Sequence, residues 1–316
     1  MIKIADVSHV VYRVPDLDIQ ETFMTDFGLV RVERSDQRLV MRAAGTAPYC
    51  YVAEKAAPGE KAAVRSIAFR VDTAAELEQA AKIGGAGAVQ PIGLPGGGNK
   101  VTIKDPNGFS IDIVHGIAQV APLEIRRPMR LNHADEKQRY GGVQRLGAKA
   151  PAQVQRLGHV LLFVEDVKAT IAWFRGNFGF IPSDIIYEGE QDNGLGAFLR
   201  CDRGDQWTDH HTLGIFKAPP GIGTKLHHAS FEIQDFDAQF MGSEYLASKH
   251  YKREWGIGRH LLGSQIFDYW RDPNGFLVEH FTDGDLLQND VPTGFHPAGA
   301  DSLYQWGPPV SEGFFT

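Results

Sequence analysis

Cysteine is nearly absent. The 316-residue chain has two, Cys50 and Cys201, too few for a disulfide framework and not in the close spacing that clips a metal. A metal held by this chain is therefore expected to rest on histidine and carboxylate. No eighteen apolar residues run together, and the opening MIKIADVSHVVYRV has no basic stretch ahead of an apolar one. Neither a membrane-spanning helix nor a secretory leader is expected, and the chain reads as cytoplasmic. A basic stripe is missing too. Lys and Arg total 32 against 39 Asp and Glu, a formal net charge of -7, which argues against nucleic acid as a partner. The remaining composition, 43% hydrophobic and 22% charged, is that of an ordinary globular protein long enough for two domains.

The chain repeats itself. SHVVYRVPDLDIQETFMTDFGLV, from Ser8, returns as GHVLLFVEDVKATIAWFRGNFGFI, from Gly158. In both a histidine is followed by an apolar run, an aspartate seven residues on, an amphipathic stretch and a closing Phe-Gly. IKDPNGFSIDIV and WRDPNGFLVEHF form a second pair, and their Asp-Pro-Asn-Gly predicts a hairpin turn, with Pro fixing φ and Asn-Gly supplying positive φ. Each copy also divides internally, because the segments from Arg65 and from His228 repeat the order of strand, acid, helix and further strands. In IAWFRGNF the apolar residues Ile171, Trp173, Phe174 and Phe178 fall near one helical face. The expected layout is residues 1–120 as one module, 121–152 as linker, 153–285 as a second module and 286–316 as a tail. That tail is rich in Gly, Pro and aromatics, and is expected to cover a pocket or meet a neighbouring subunit.

Four such units paired into two modules resemble the vicinal oxygen chelate superfamily over Ile4–Gly116 and Leu157–Asp283. The resemblance implies an α+β fold of tandem βαβββ units, each pair curling into a half-barrel pocket. It also implies where metal ligands stand, and in the second copy those positions are His159, His228 and Glu279. Two imidazoles and one carboxylate make the facial triad suited to Fe(II) or Mn(II). His228 is preferred to His227 because it precedes Asp235 by the same seven residues that separate His159 from Asp166. His227 is then expected to point to the other side of its strand. The first copy has His9, Ser66 and Asp112 at the matching places, a poor site, so that module is expected to bind no metal.

Three further polar residues belong to the second copy alone. His211 replaces something near Cys50, Tyr269 replaces Thr102, and His260 stands where the first copy has Gly93. With GHVLLFVED, HHT, LHHASFEI and RHLLGSQIFDYWRDPNGFLVEHF, the set resembles the type I extradiol dioxygenases. That resemblance implies a non-haem enzyme, with Fe(II) or alternatively Mn(II), that opens a substituted catechol beside its hydroxyls with O2 during aromatic degradation, as a homo-oligomer. It implies His211 as the acid/base, Tyr269 as hydrogen-bond partner of the ionised substrate oxygen, and His260 as the group orienting the other oxygen. Trp207 and Trp255, read as loop residues near the mouth, are the favoured substrate contacts, with Trp173, Phe180 and Phe267 as further aromatic candidates. The rival readings are a 4-hydroxyphenylpyruvate dioxygenase-like enzyme, a glyoxalase-like enzyme and a metal-free module sequestering an aromatic drug.

Overall fold

In the computed structural model, which describes residues 2–299 and 302–316, the repeated aspartates prove to be helix caps. Asp16, Asp166 and Asp235 each accept backbone N–H bonds at the start of the helices Leu17–Phe27, Val167–Phe178 and Phe236–Ser248. Such a cap satisfies donors that the first turn leaves open, and losing one costs about 1 kcal/mol. In the second unit Thr73, not Asp72, caps the short helix Ala74–Ala80, exchanging bonds with Glu76. The two Phe-Gly pairs close helices because Gly28 (φ 113°) and Gly179 (φ 69°) take the left-handed conformation at the end.

The sheets repeat as the helices do. In the first, Asp6–Val14 runs antiparallel to Ala63–Arg70, flanked by parallel Tyr51–Lys55 and Ser110–His115. In the second, Val154–Val164 and Lys225–Ile233 form the antiparallel centre, with parallel Leu213–Lys217 and Leu277–Thr282 beside them. Both Asp-Pro-Asn-Gly segments join antiparallel strands. The positive φ, however, sits on Gly108 and Gly275 alone. Asp105 and Asp272 fold the turns by accepting from backbone N–H groups two and four residues on, so the asparagines need no positive φ.

Those asparagines face the other module instead. Asn107 donates to Thr170 on the helix of the second module, and Asn274 donates to Gln20 on the matching helix of the first. Gln20, wholly buried, also donates to Tyr51 and Asp272. One continuous apolar core, from Val10 and Phe27 to Phe174 and Phe231, runs through both halves.

Residues 116–153 form no helix or strand. The tail adds Gly294–Pro297 to one edge of the second sheet, beside Ile181–Tyr187, and Tyr304–Trp306 to the other, beside Lys252–His260. It ends in a 3-10 turn, Glu312–Phe315. The chain end thus crosses the open side of the curved second sheet. Among the described residues no helix is long and apolar enough to cross a membrane.

Candidate metal centre and its cavity

Strand register brings the ligand candidates together. His159 pairs with Ser230, Ser230 with Glu279 and Glu279 with Tyr269, so four neighbouring strands place these side chains in one row. His228, two residues before Ser230, stands on the same face. His159 Nε2 lies 3.2 Å and His228 Nε2 3.5 Å from Glu279 Oε2, which also accepts from Ser230 Oγ at 2.5 Å. Ligands on adjacent corners of an octahedral ion stand about 3 Å apart. The donor atoms of His159, His228 and Glu279 lie within 4.8 Å of one another, with all three residues buried.

The bonding leaves that space for a cation. His228 Nε2 and Glu279 Oε1 are buried and have no hydrogen-bond partner, as is also true of His159 Nδ1. Such orphans are costly unless something outside the chain satisfies them. Charge agrees: burial holds the His228 imidazole well below its ordinary pKa, against the pull of Glu279. Burial alone would raise the Glu279 carboxyl, but the imidazoles of His159, His260 and His228 hold it well below the usual range. A neutral His228 imidazole beside an ionised carboxylate is the pairing that suits a divalent metal.

The other candidates surround this point. Tyr269 Oη lies 2.8 Å from His260 Nε2, and His260 Nε2 lies 3.8 Å from Glu279 Oε1. His211 packs its ring 4.2 Å from that of His159. Burial, then the neighbouring His159, keep His211 well below its ordinary pKa, so it is neutral. The parallel register aligns His211 with Tyr49, the neighbour of Cys50, and places it ahead of its strand, which begins at Leu213. His260 ends the strand Lys252–His260.

Two aromatic assignments change. Trp255 belongs to that same strand, is 3% exposed, and lines the cavity with its indole N–H donating to the Pro308 carbonyl. Trp207 is 63% exposed and not on the cavity wall, because its loop turns outward. Trp173 and Phe180 pack in the core, and Phe267 stacks behind His260 and Trp255. His227 also departs from expectation. A bulge between Leu226 and His228 breaks the alternation, and His227 borders the same cavity as His228.

Asp184 and His210 stand behind His211 without any signal in the repeat. Asp184 Oδ2 accepts from His210 Nε2 at 2.6 Å, and its other oxygen accepts from His296 Nε2 at 2.7 Å. His210 Nδ1 then accepts from His211 Nδ1 at 3.0 Å, which leaves His211 Nε2 with its lone pair. The only sequence signal was the doubled histidine. Asp184→Asn is expected to lower kcat about 10- to 100-fold, as loss of a supporting partner does, with metal content unchanged. Steady-state kinetics beside elemental analysis would check it; an unaltered kcat would remove Asp184 from the site's support.

The first module carries its own cation. Lys100 Nζ sits 3.0 Å from Asp112, which also accepts from Ser66 and Thr102. His9 is buried, bonded to Ser8 and edge-on to Tyr49. An ammonium at the carboxylate removes the reason for a metal there. Elemental analysis of fully loaded protein should give one metal per chain; two would overturn this reading.

The cavity beside the triad measures about 120 Å³, the scale of space that accepts one benzene ring. Leu161, Phe198, Phe216, Leu262, Phe314 and Phe315 contribute its apolar wall, and among the described residues no Lys or Arg lines it.

Residues 156–280 match the model of the Glyoxalase/Bleomycin resistance protein/Dioxygenase superfamily. Metapyrocatechase 2 of Cupriavidus necator is 32% identical over 98% of this chain and 90% of its own length. The 3-methylcatechol 2,3-dioxygenase of Pseudomonas putida is 34% identical over 40% of this chain and 41% of its own. In fold, the chain is similar to homoprotocatechuate 2,3-dioxygenase of Brevibacterium fuscum, with a TM-score of 0.81 at 20% identity over 99% of this chain and 92% of that one. It is also similar to a Mn(II)-bound glyoxalase of Novosphingobium aromaticivorans, with a TM-score of 0.79 at 21% identity over 99% and 94% of the two chains.

Proposed function

The chain belongs to the extradiol ring-cleaving dioxygenases of the Glyoxalase/Bleomycin resistance protein/Dioxygenase superfamily, and from that premise we propose which catechol it opens and which side chains do the work. It is a metal-dependent enzyme that uses O2 on a catechol-type substrate. The metal is Fe(II), or Mn(II) in its place, held by His159, His228 and Glu279; two imidazoles and one carboxylate suit either ion and leave positions open. When bound, that ion lowers the pKa of a catechol hydroxyl and couples the diol to O2.

The remaining steps fall to side chains. Tyr269 exchanges its bond to His260 for one donated to the ionised substrate oxygen, and the freed His260 Nε2 accepts from the other, protonated oxygen. Neutral His211 enters as a base, takes a proton at Nε2 and returns it as the ring opens. Trp255, Phe198 and the tail's Phe314 exclude water from the ring.

The substrate is a monocyclic catechol with a small apolar substituent. A wall without Lys or Arg offers no cationic partner to a carboxylate, whose burial without one is costly. The convergence of His159, His228 and Glu279 beside this apolar cavity carries the reading. We include a homo-oligomer in the proposal; the exposed pair Phe236 and Phe240 on one helix supplies an apolar patch for it.

Oxygen uptake by anaerobically prepared, Fe(II)-loaded protein tests the reading against catechol, methylcatechols and 3,4-dihydroxyphenylacetate. One O2 per catechol, a yellow product and a preference for the methylcatechols are expected. Faster turnover of the carboxylated substrate would overturn the substrate assignment.

A further inference from the structure

The tail's backbone carbonyls end in the site. Phe314 C=O lies 2.5 Å from His227 Nε2, and His227 Nδ1 lies 2.7 Å from His228 Nδ1. A carbonyl only accepts, so His227 Nε2 must carry the proton. The facing Nδ1 atoms have room for one proton between them. With His227 already protonated at Nε2, that proton belongs to His228. His228 Nε2 is thereby left with its lone pair, and it is the atom without a protein partner near Glu279.

A second carbonyl does the same for His260. Leu303 C=O accepts from His260 Nδ1 at 2.9 Å, so His260 Nε2 is the acceptor for the Tyr269 hydroxyl. Both carbonyls are held firmly. Phe314 packs edge-on against His227, Trp255 and Tyr269 and is 7% exposed. Ser311 donates to Glu254 and accepts from Phe314 N–H, while Arg271 donates to the carbonyls of Gly313 and Thr316.

We propose that the C-terminal segment is a positioning element, in which the Phe314 carbonyl, acting through His227, selects Nε2 of His228 as the metal-binding nitrogen. The inference rests on His228 being a ligand. Neither His227 nor Phe314 need touch the metal; they act by fixing the ring that does.

Titration of the full-length apoprotein with Co(II), followed by visible absorption, tests this without turnover. His227→Leu keeps apolar volume and removes the relay. It should weaken Co(II) binding about 10- to 100-fold and alter the absorption bands, with the thermal midpoint of the apoprotein unlowered. His227→Asn, which keeps an acceptor close to the ring, should recover much of the loss. Phe314→Ala, which frees the carbonyl, should weaken binding less, and the double variant with His227→Leu should be no worse than His227→Leu alone. Co(II) affinity of His227→Leu within about threefold of the parent, or losses that add in the double variant, would overturn the proposal. His228→Ala is the control: its loss of Co(II) upholds the ligand assignment whatever the relay does, and retained binding refutes both.

Discussion

Glu279→Gln should empty the site and end ring opening while leaving the apoprotein folded. The amide is nearly the same shape and can still accept from Ser230 Oγ, which now bonds the carboxylate. It lacks the charge that opposes a divalent ion. Removing a group that only supports a ligand costs about 10- to 100-fold; removing the sole anionic donor of the triad should exceed about a thousandfold in metal affinity. Thermal stability offers an independent reading, because a ligand that binds only the folded state raises the midpoint by mass action. Added Fe(II) should raise the midpoint of the parent protein and not that of the variant. A variant that keeps one metal per chain would show that the carboxylate is not a ligand.

The second large effect is confined to chemistry. His211→Asn should lower kcat by about 10²- to 10⁴-fold, the range for a positioned proton-transfer group, with metal content and anaerobic catechol affinity close to the parent values. Asparagine retains a donor on the side of His210, so the bond to its Nδ1 and the Asp184 contact behind it can survive. What is lost is the lone pair at Nε2. Loss of metal along with activity would instead place His211 among the ligands.

The candidate triad was legible because a duplicated chain contains its own comparison. His159, His228 and Glu279 could be set against His9, Ser66 and Asp112, and the seven-residue interval from histidine to aspartate has a physical basis in the helix cap. Strand register for Tyr269 followed from the hairpin in the same way. Reading failed where the chain departs from its period. The bulge beside His227 breaks strict alternation, and nothing in the letters LHH marks it. Trp207 and Trp255 were weighed as equals, because a loop tryptophan and a buried strand tryptophan look alike without the partner strand. Asp184, Leu303 and Phe314 were out of reach for another reason: they meet the site from distant segments, and the tail has no counterpart in the first copy.

The crossed docking of turns and helices bears on what the first module contributes to the second. The strand that carries Glu279 begins beyond a turn braced by Gln20, and the next side chain, His280, stacks on Phe27 and donates to its carbonyl. Both anchors belong to the first module. The Glu279 carboxylate is thus aimed by a helix in the other half, so the first module serves as the mount of a gunsight. Drift in its surface would show first as lost aim at Glu279, long before either half came apart.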